Sequence, residues 1–235
     1  VIRDLGCGTG SMGRWLAGRL PGPQLWILRD RDPVLLARAG AGMPSVAADG
    51  TPVTARTEEG DLTGLSAAEL AGTSLVTASA VLDLLTAEEV DGLAAACVEA
   101  GCAALLTLTV VGSVEIAPSD PLDVAFAAAF DSHQRRRTAG RRLLGPDAGA
   151  AAADAFALRG AAVVTRPSPW RLGPDQAELA EEWLRGWIGA ACAQQPDLEQ
   201  HAAAYLRRRL DACAAGELRV VVGHVDVLAL PTGVS

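Results

Sequence analysis

The sequence has no lysine and no asparagine, and all 20 of its basic residues are arginine. Both missing residues have AT-rich codons, so their absence, with abundant alanine, points to a GC-rich bacterial genome. Aromatic residues are scarce, at 4%. With 20 basic against 28 acidic residues the formal charge is −8. An acidic chain with few aromatics repels polyanions, which disfavours nucleic acid as the main partner. Histidine occurs three times and the five cysteines form no C-x-x-C pair. No zinc spacing is therefore present, and scattered thiols fit reduced cysteines in a cytoplasmic protein. The longest uncharged run, residues 100–114, is too short to span a bilayer, and no leader is recognisable.

What is present is apolar. Half of the 235 residues are hydrophobic, enough for one large α/β domain with a sizeable core. Segments 1–5, 24–30, 52–59, 73–85 and 102–111 read as strands. Segments 11–20 and 33–41 and a stretch opened by Thr86 read as helices. Asp32-Pro33 has the form of an N-cap followed by proline at the first helical position, and Thr86 with Glu89 that of a capping box. Alternation of apolar strands with helices predicts a parallel sheet covered on both faces. The second half predicts an arginine- and alanine-rich helical region over 121–159, a sixth strand within 160–172, helices at 175–194 and 197–214, and a seventh strand at 218–230. Leu179, Trp183, Trp187 and Ile188 form an apolar stripe on the first of these helices, and Tyr205 and Cys213 belong to one on the second.

Between the first strand and first helix lies DLGCGTG, residues 4–10. Gly6, Gly8 and Gly10 let the backbone turn sharply and approach a ligand at the ligand-binding edge of an open α/β sheet. A dinucleotide fingerprint would place its third glycine at position 11, which is serine. Asp4 is poorly suited to a pyrophosphate and well suited to an ammonium group. The turn thus expects a ligand that carries positive as well as negative charge.

On this motif the chain resembles the class I S-adenosylmethionine-dependent methyltransferases, whose first motif is acidic-x-G-x-G-x-G. Three landmarks extend the resemblance over about the first 115 residues: ILRDRDP, GDLTGL and LVTASAVLDLL. The resemblance implies a doubly wound, mostly parallel seven-stranded sheet whose last strand is antiparallel. It also implies S-adenosylmethionine as cofactor and S-adenosylhomocysteine as product. Asp30 would hold the ribose hydroxyls with Arg31 beside it, Asp61 with Leu62 would meet the adenine, and Ser79 would face the methionine end. Asp4 would orient the methionine ammonium group, while Cys7 would contribute its backbone. The family places a helical segment before the first strand; the sequence opens at Val1, already strand-like and not methionine, so such a segment is expected upstream of it. One domain over 1–235 is expected, with a cofactor half at 1–118 and an acceptor half at 119–235 carrying helical insertions at about 121–159 and 174–216.

Methyl transfer is an in-line displacement in which the enzyme mainly positions two reactants, assisted by a base where the nucleophile is weakly acidic. His133 is the candidate base, against the plainer reading of a surface helix histidine. Asp83 is a second candidate, against that of a polar strand end. His201 and His224 read as structural. Arg135, Arg136, Arg137, Arg141 and Arg142 form either an anion clamp for the acceptor or a solvated helix face. The run 207–209 reads as a solvated face. Gln134, Arg135, Arg136 and Trp170 are the candidate acceptor contacts, Trp170 also fitting a packing role. The acceptor expected is a small molecule, anionic if the arginines clamp it. The rivals are an RNA or protein methyltransferase, a nicotinamide-dependent oxidoreductase and a non-catalytic member of the fold.

Overall fold

A computed structural model of the chain describes residues 1–232; the last three residues of the expected domain, 233–235, lie outside them. In chain order the strands are β1 (Ile2–Leu5), β2 (Gln24–Asp30), β3 (Val53–Glu59), β4 (Leu75–Ser79), β5 (Ala103–Ala117), β6 (Arg137–Thr138), β7 (Arg141–Arg142), β8 (Ala162–Pro167), β9 (Trp170–Leu172) and β10 (Arg219–Leu230). The α-helices are α1 (Ser11–Ala17), α2 (Pro33–Gly42), α3 (Ala87–Glu99), α4 (Asp123–Gln134), α5 (Ala148–Ala157), α6 (Ala177–Gln194) and α7 (Glu199–Ala214).

The main sheet runs β3-β2-β1-β4-β5-β10-β8. Its first five strands are parallel, and β10 is antiparallel to both β5 and β8. The doubly wound sheet with a reversed last strand is as expected, with one addition. The segment expected to hold one edge strand holds two, since β9 also pairs with β10 and makes the sheet eight-stranded. Pro167 and Pro169 bracket the break between β8 and β9, and neither can donate to a ladder. Ser168 bridges the gap by donating its N–H to the His224 carbonyl at 2.9 Å.

The capping signals in the sequence work as read. Asp32 accepts from the N–H groups of Val34 and Leu35, and Thr86 and Glu89 form a full capping box on α3. Helix α1 is shorter than the expected 11–20, closing at Ala17 before Gly18. Packing follows the alternation of the strands. Val76, Ala78, Ala104, Leu106 and Val227 bury against α3 and α5, while Trp26 and Leu28 bury against α1 and α2. Among the described residues no helix is long and apolar enough to cross a membrane.

Beyond the ends of the parallel strands, β5 and β10 continue together as a ribbon flanked by β9, with Val114 facing Val222 and Ile116 facing Val220. On it sits a second core made by α4, α6 and α7, in which Phe126, Trp187, Ile188 and Tyr205 are buried. Trp183 stacks on Trp187 with ring centroids 5.2 Å apart, so this part of the stripe is core. Leu179, read as part of the same stripe, is instead 42% exposed at the open end of α6.

Three expectations for the arginines are corrected here. Region 121–159 is not continuously helical, because α4 and α5 are separated by the hairpin β6–β7. Ala139 and Gly140, both at positive φ, form its two-residue turn. Arg137, Arg141 and Arg142 therefore lie on a hairpin and not on a helix face. In the run 207–209 one member is not solvated: Arg209 is 3% exposed, and its guanidinium donates to Asp123 and to the Pro118 carbonyl. The side of α7 that carries Arg209 faces α4, so its charge meets a carboxylate.

Candidate functional site

The turn after β1 is fixed from below by β2. Cys7 donates its N–H to the Arg29 carbonyl at 3.0 Å, and Gly8 donates its N–H to Asp30 Oδ2 at 2.8 Å. Asp30 Oδ1 accepts from the Asp32 N–H at 3.0 Å, so one carboxylate ties the turn to the start of α2. All three glycines are in the left-handed region. At Gly10 (φ 83°) a β-carbon would also meet the Ala39 backbone at 3.1 Å, and at Gly6 (φ 62°) it would press on Val81 at 3.0 Å. The turn is thus tight against its surroundings as well as unusual in backbone angle.

Asp4 lies beneath this turn, 1% exposed. Thr77 on β4 donates its hydroxyl to Asp4 Oδ1 at 2.7 Å, while Oδ2 is buried with no partner among the described residues. Burial pushes the carboxyl up to about 6; the Thr77 hydrogen bond opposes this and the charge of Asp30 adds to it. Cys7 is buried beside the two acids, and burial together with their charge raises its thiol to about 12. A thiol held there is no nucleophile at neutral pH.

A cavity of about 490 Å³ opens at the strand ends. Gly6, Asp30, Arg31, Asp61 and Leu62, all singled out from sequence, line it. Asp61 Oδ1 accepts from the Thr63 N–H and hydroxyl, both at 2.9 Å, and these bonds help to hold its pKa below the usual carboxylate value. The apolar walls are Leu35, Val81, Leu84 and Leu85. Glu89 and Arg141 complete the lining. Arg141 donates to both Glu89 oxygens, at 2.9 and 2.5 Å, and to the Leu84 carbonyl at 3.0 Å, which pins the β6–β7 hairpin beside the cavity. Sequence reasoning named Arg141 only as one of the clustered arginines and Glu89 only as half of a capping box; Val81, Leu84 and Leu85 fell within LVTASAVLDLL without being singled out, and Leu35 carried no signal.

The remaining candidates divide into two sets. Asp83, in the single 3-10 turn after β4, comes together with Gln134 and Arg136. Burial raises the Asp83 carboxyl, while its own backbone, Arg136 and Gln134 offset part of the rise. Arg136 donates to the His133 carbonyl at 3.0 Å, and burial and that guanidinium hold the His133 ring below the usual histidine value. Gln134 is 7% exposed with its Oε1 unpartnered. This polar group sits where the end of α4 meets the residues following β4.

The other two candidates lie elsewhere. Arg135 makes a two-pronged pair with Asp147, both bonds 2.9 Å. Trp170 is on β9 against the His224 ring, centroids 5.3 Å apart, and lines neither this cavity nor the second one described below. His224 is buried with Nδ1 3.0 Å from the Val222 carbonyl, and His201 is exposed on α7.

A second cavity, of about 320 Å³, lies on the other side of the turn. Ser79 lines it, with Ser11, Met12, Trp15, Thr107, Leu108 and Asp226.

No protein-family profile matches this sequence, and no curated protein matches it. Among solved structures the fold is similar to that of a Bacillus halodurans C-125 protein provisionally named a methyltransferase. That match has a TM-score of 0.50 at 12% identity and covers 98% of this chain and 92% of that one. Magnesium protoporphyrin IX methyltransferase from Synechocystis PCC 6803, solved with S-adenosylhomocysteine bound, matches at 13% identity and a TM-score of 0.49, over 98% of this chain and 74% of its own. An S-adenosylmethionine-dependent methyltransferase from Geobacter sulfurreducens, also in complex with S-adenosylhomocysteine, matches at 15% identity and a TM-score of 0.47, over 98% and 84%. The first of these likenesses establishes the fold: a doubly wound, mostly parallel sheet of the Rossmann-like methyltransferase type.

Proposed function

We propose that the protein is an S-adenosylmethionine-dependent methyltransferase acting on a small molecule. The observation that carries this reading is the charge of the cavity at the strand ends. Its lining places Asp30, Asp32, Asp61 and Glu89 against Arg31 and Arg141, four carboxylates to two guanidiniums. An excess of negative charge opposes a dinucleotide pyrophosphate and favours a ligand of net positive charge. An adenosyl sulfonium carrying an amino acid is such a ligand. The residues fit it in other ways. Asp30 stands at the end of β2 to accept from ribose hydroxyls, the Leu62 and Val81 side chains offer apolar walls to a purine, and the buried unpartnered Oδ2 of Asp4 awaits a donor.

When bound, the cofactor supplies an electrophilic methyl group. The chain supplies position and proton transfer. Asp30 holds the turn, and Asp4 beneath it and Asp30 would orient the cationic and hydroxyl groups of the ligand. His133, its ring held below the usual histidine value, is the proposed proton acceptor with Asp83 and Gln134 beside the end of α4; the three lie outside the lining of both cavities, so this role requires an acceptor that reaches that end. The arginines make a poor anion clamp, since Arg135 and Arg141 are already paired with Asp147 and Glu89.

Calorimetric titration with S-adenosylhomocysteine, with NADH run beside it, tests the reading. Micromolar binding of the former alone is expected; binding of neither, or of NADH alone, overturns it.

The titration of Asp4 adds a pH signature. Its folded-state value is raised from 3.8 to about 6, so the folded protein holds this proton more tightly than the unfolded chain. The destabilisation from burying the charge is absent below 3.8, grows between the two values and is complete above about 6. It is worth on the order of 3 kcal/mol. If Asp4 serves a cationic ligand, S-adenosylhomocysteine affinity rises as pH goes from 5 to 7.5. Asp4→Asn should flatten that rise while melting no lower than wild type at pH 7.5. A wild-type affinity independent of pH over this interval would remove Asp4 from the ligand site.

A further inference from the structure

The second cavity lies where β5 and β10 fall out of step. The register passes from Val225 opposite Thr109 to Val227 opposite Leu106, so Thr107 and Leu108 together face the single residue Asp226. A bulge of this kind re-aims side chains. Leu108 takes φ 52°, a left-handed conformation costly for a bulky side chain. Asp226 stabilises it: Oδ1 accepts from the Leu108 N–H at 3.0 Å and from the Ser168 hydroxyl at 2.6 Å.

This construction leaves two polar atoms unused at the cavity. Thr107 is 8% exposed, and its hydroxyl is buried with no partner among the described residues. Asp226 Oδ2 makes no hydrogen bond, and Asp226 no ion pair, among those residues. Arg166, its cross-strand neighbour on β8, is exposed and donates to the Thr165 carbonyl. Asp226 is the only charged residue in the lining; Met12, Trp15 and Leu108 give the rest an apolar character. The two cavities also share walls. Gly6 and Ser11 flank the one glycine turn, and Ser79 and Val81 the end of β4, each pair with one member in each cavity.

We propose that this second cavity is an ammonium-binding subsite, in which the Asp226 carboxylate takes the charge and the Thr107 hydroxyl a hydrogen bond. This rests on the methyltransferase reading for the neighbouring cavity. The cofactor's own amino group is assigned to Asp4, so the ammonium group expected here belongs to the methyl acceptor and lies on that molecule apart from the atom to be methylated.

Asp226→Asn is the informative variant, because its remaining oxygen can still accept from Leu108 and Ser168 while the charge is lost. Thr107→Val removes the orphan hydroxyl at constant shape. Three probes are titrated into each protein: S-adenosylhomocysteine, 5′-methylthioadenosine, which lacks the amino-acid tail, and phenethylamine added to protein saturated with S-adenosylhomocysteine. Both variants are expected to weaken phenethylamine about tenfold and to leave the two nucleosides unchanged. If both instead weaken S-adenosylhomocysteine and leave methylthioadenosine unchanged, the cavity holds the cofactor's tail and the acceptor subsite is overturned. The subsite is overturned if neither variant alters any probe, or if 3-phenylpropionate binds the wild type as well as phenethylamine does. Failure of methylthioadenosine to bind the wild type would instead count against the reading of the first cavity. Thr107→Val should also melt no lower than wild type, since the hydroxyl it removes has no partner in the fold.

Discussion

Asp30→Ala is expected to weaken S-adenosylhomocysteine binding at least about a hundredfold and to lower the melting temperature by several degrees. Two hydrogen bonds to a charged acceptor disappear from the protein itself, at Gly8 and at Asp32. Bonds of this type are worth about 1.5–3 kcal/mol each. The bonds to Gly8 and Asp32 hold the turn and the start of α2 in one arrangement, so their loss is paid mainly as preorganisation. Any contact the carboxylate makes with the ligand is lost as well. Asp30→Asn keeps one acceptor oxygen and should fall between the two. Isothermal titration of the three proteins gives the comparison, and an alanine variant that binds within threefold of wild type would show that Asp30 neither meets the ligand nor sets the turn for it.

The second large effect lies far from the cofactor cavity. Asp123→Ala should destabilise the protein by about 3–5 kcal/mol, because it leaves a buried guanidinium without its counter-charge. Asp123 Oδ1 accepts from the Tyr205 hydroxyl at 2.5 Å and from Arg209, and Tyr205 lies beneath the Phe126 ring at a centroid distance of 4.5 Å. The loss amounts to roughly 10 °C in melting temperature for a chain of this size. The partner change should be milder: in a double variant with Arg209→Met no charge is stranded, and much of the stability should return. Differential scanning calorimetry decides it, and an unchanged transition in the single variant would mean that water reaches Arg209.

The cofactor half was legible in the sequence because its signals are local. A glycine turn, an N-cap at Asp32 and a capping box at Thr86 each act within a few residues, and each appears where its spacing put it. The parallel sheet followed from the alternation of strands and helices. The features that escaped are long-range. That Arg209 is buried depends on Asp123, 86 residues away, and that Arg141 lines the cofactor cavity depends on Glu89. A run of arginines gives no hint of which members will meet a carboxylate. The bulge at Asp226 is likewise invisible in a strand whose own pattern is regular, because it is a property of the pairing with Thr107 and Leu108. The Arg137–Arg142 hairpin was masked by alanine-rich flanks that do form helices.

The extension of β5 and β10 separates two parts of this chain. The turn, Asp30 and Asp61 lie at the ends of the parallel strands β1, β2 and β3, whereas α4, α6 and α7 pack on the part of β5 and β10 that runs on past them with β9 alongside. Among the described residues those helices contribute nothing to the lining of either cavity, so they can drift in sequence, or be exchanged for others, without rebuilding the turn. On the proposed reading, a lineage that varied them would keep its methyl donor.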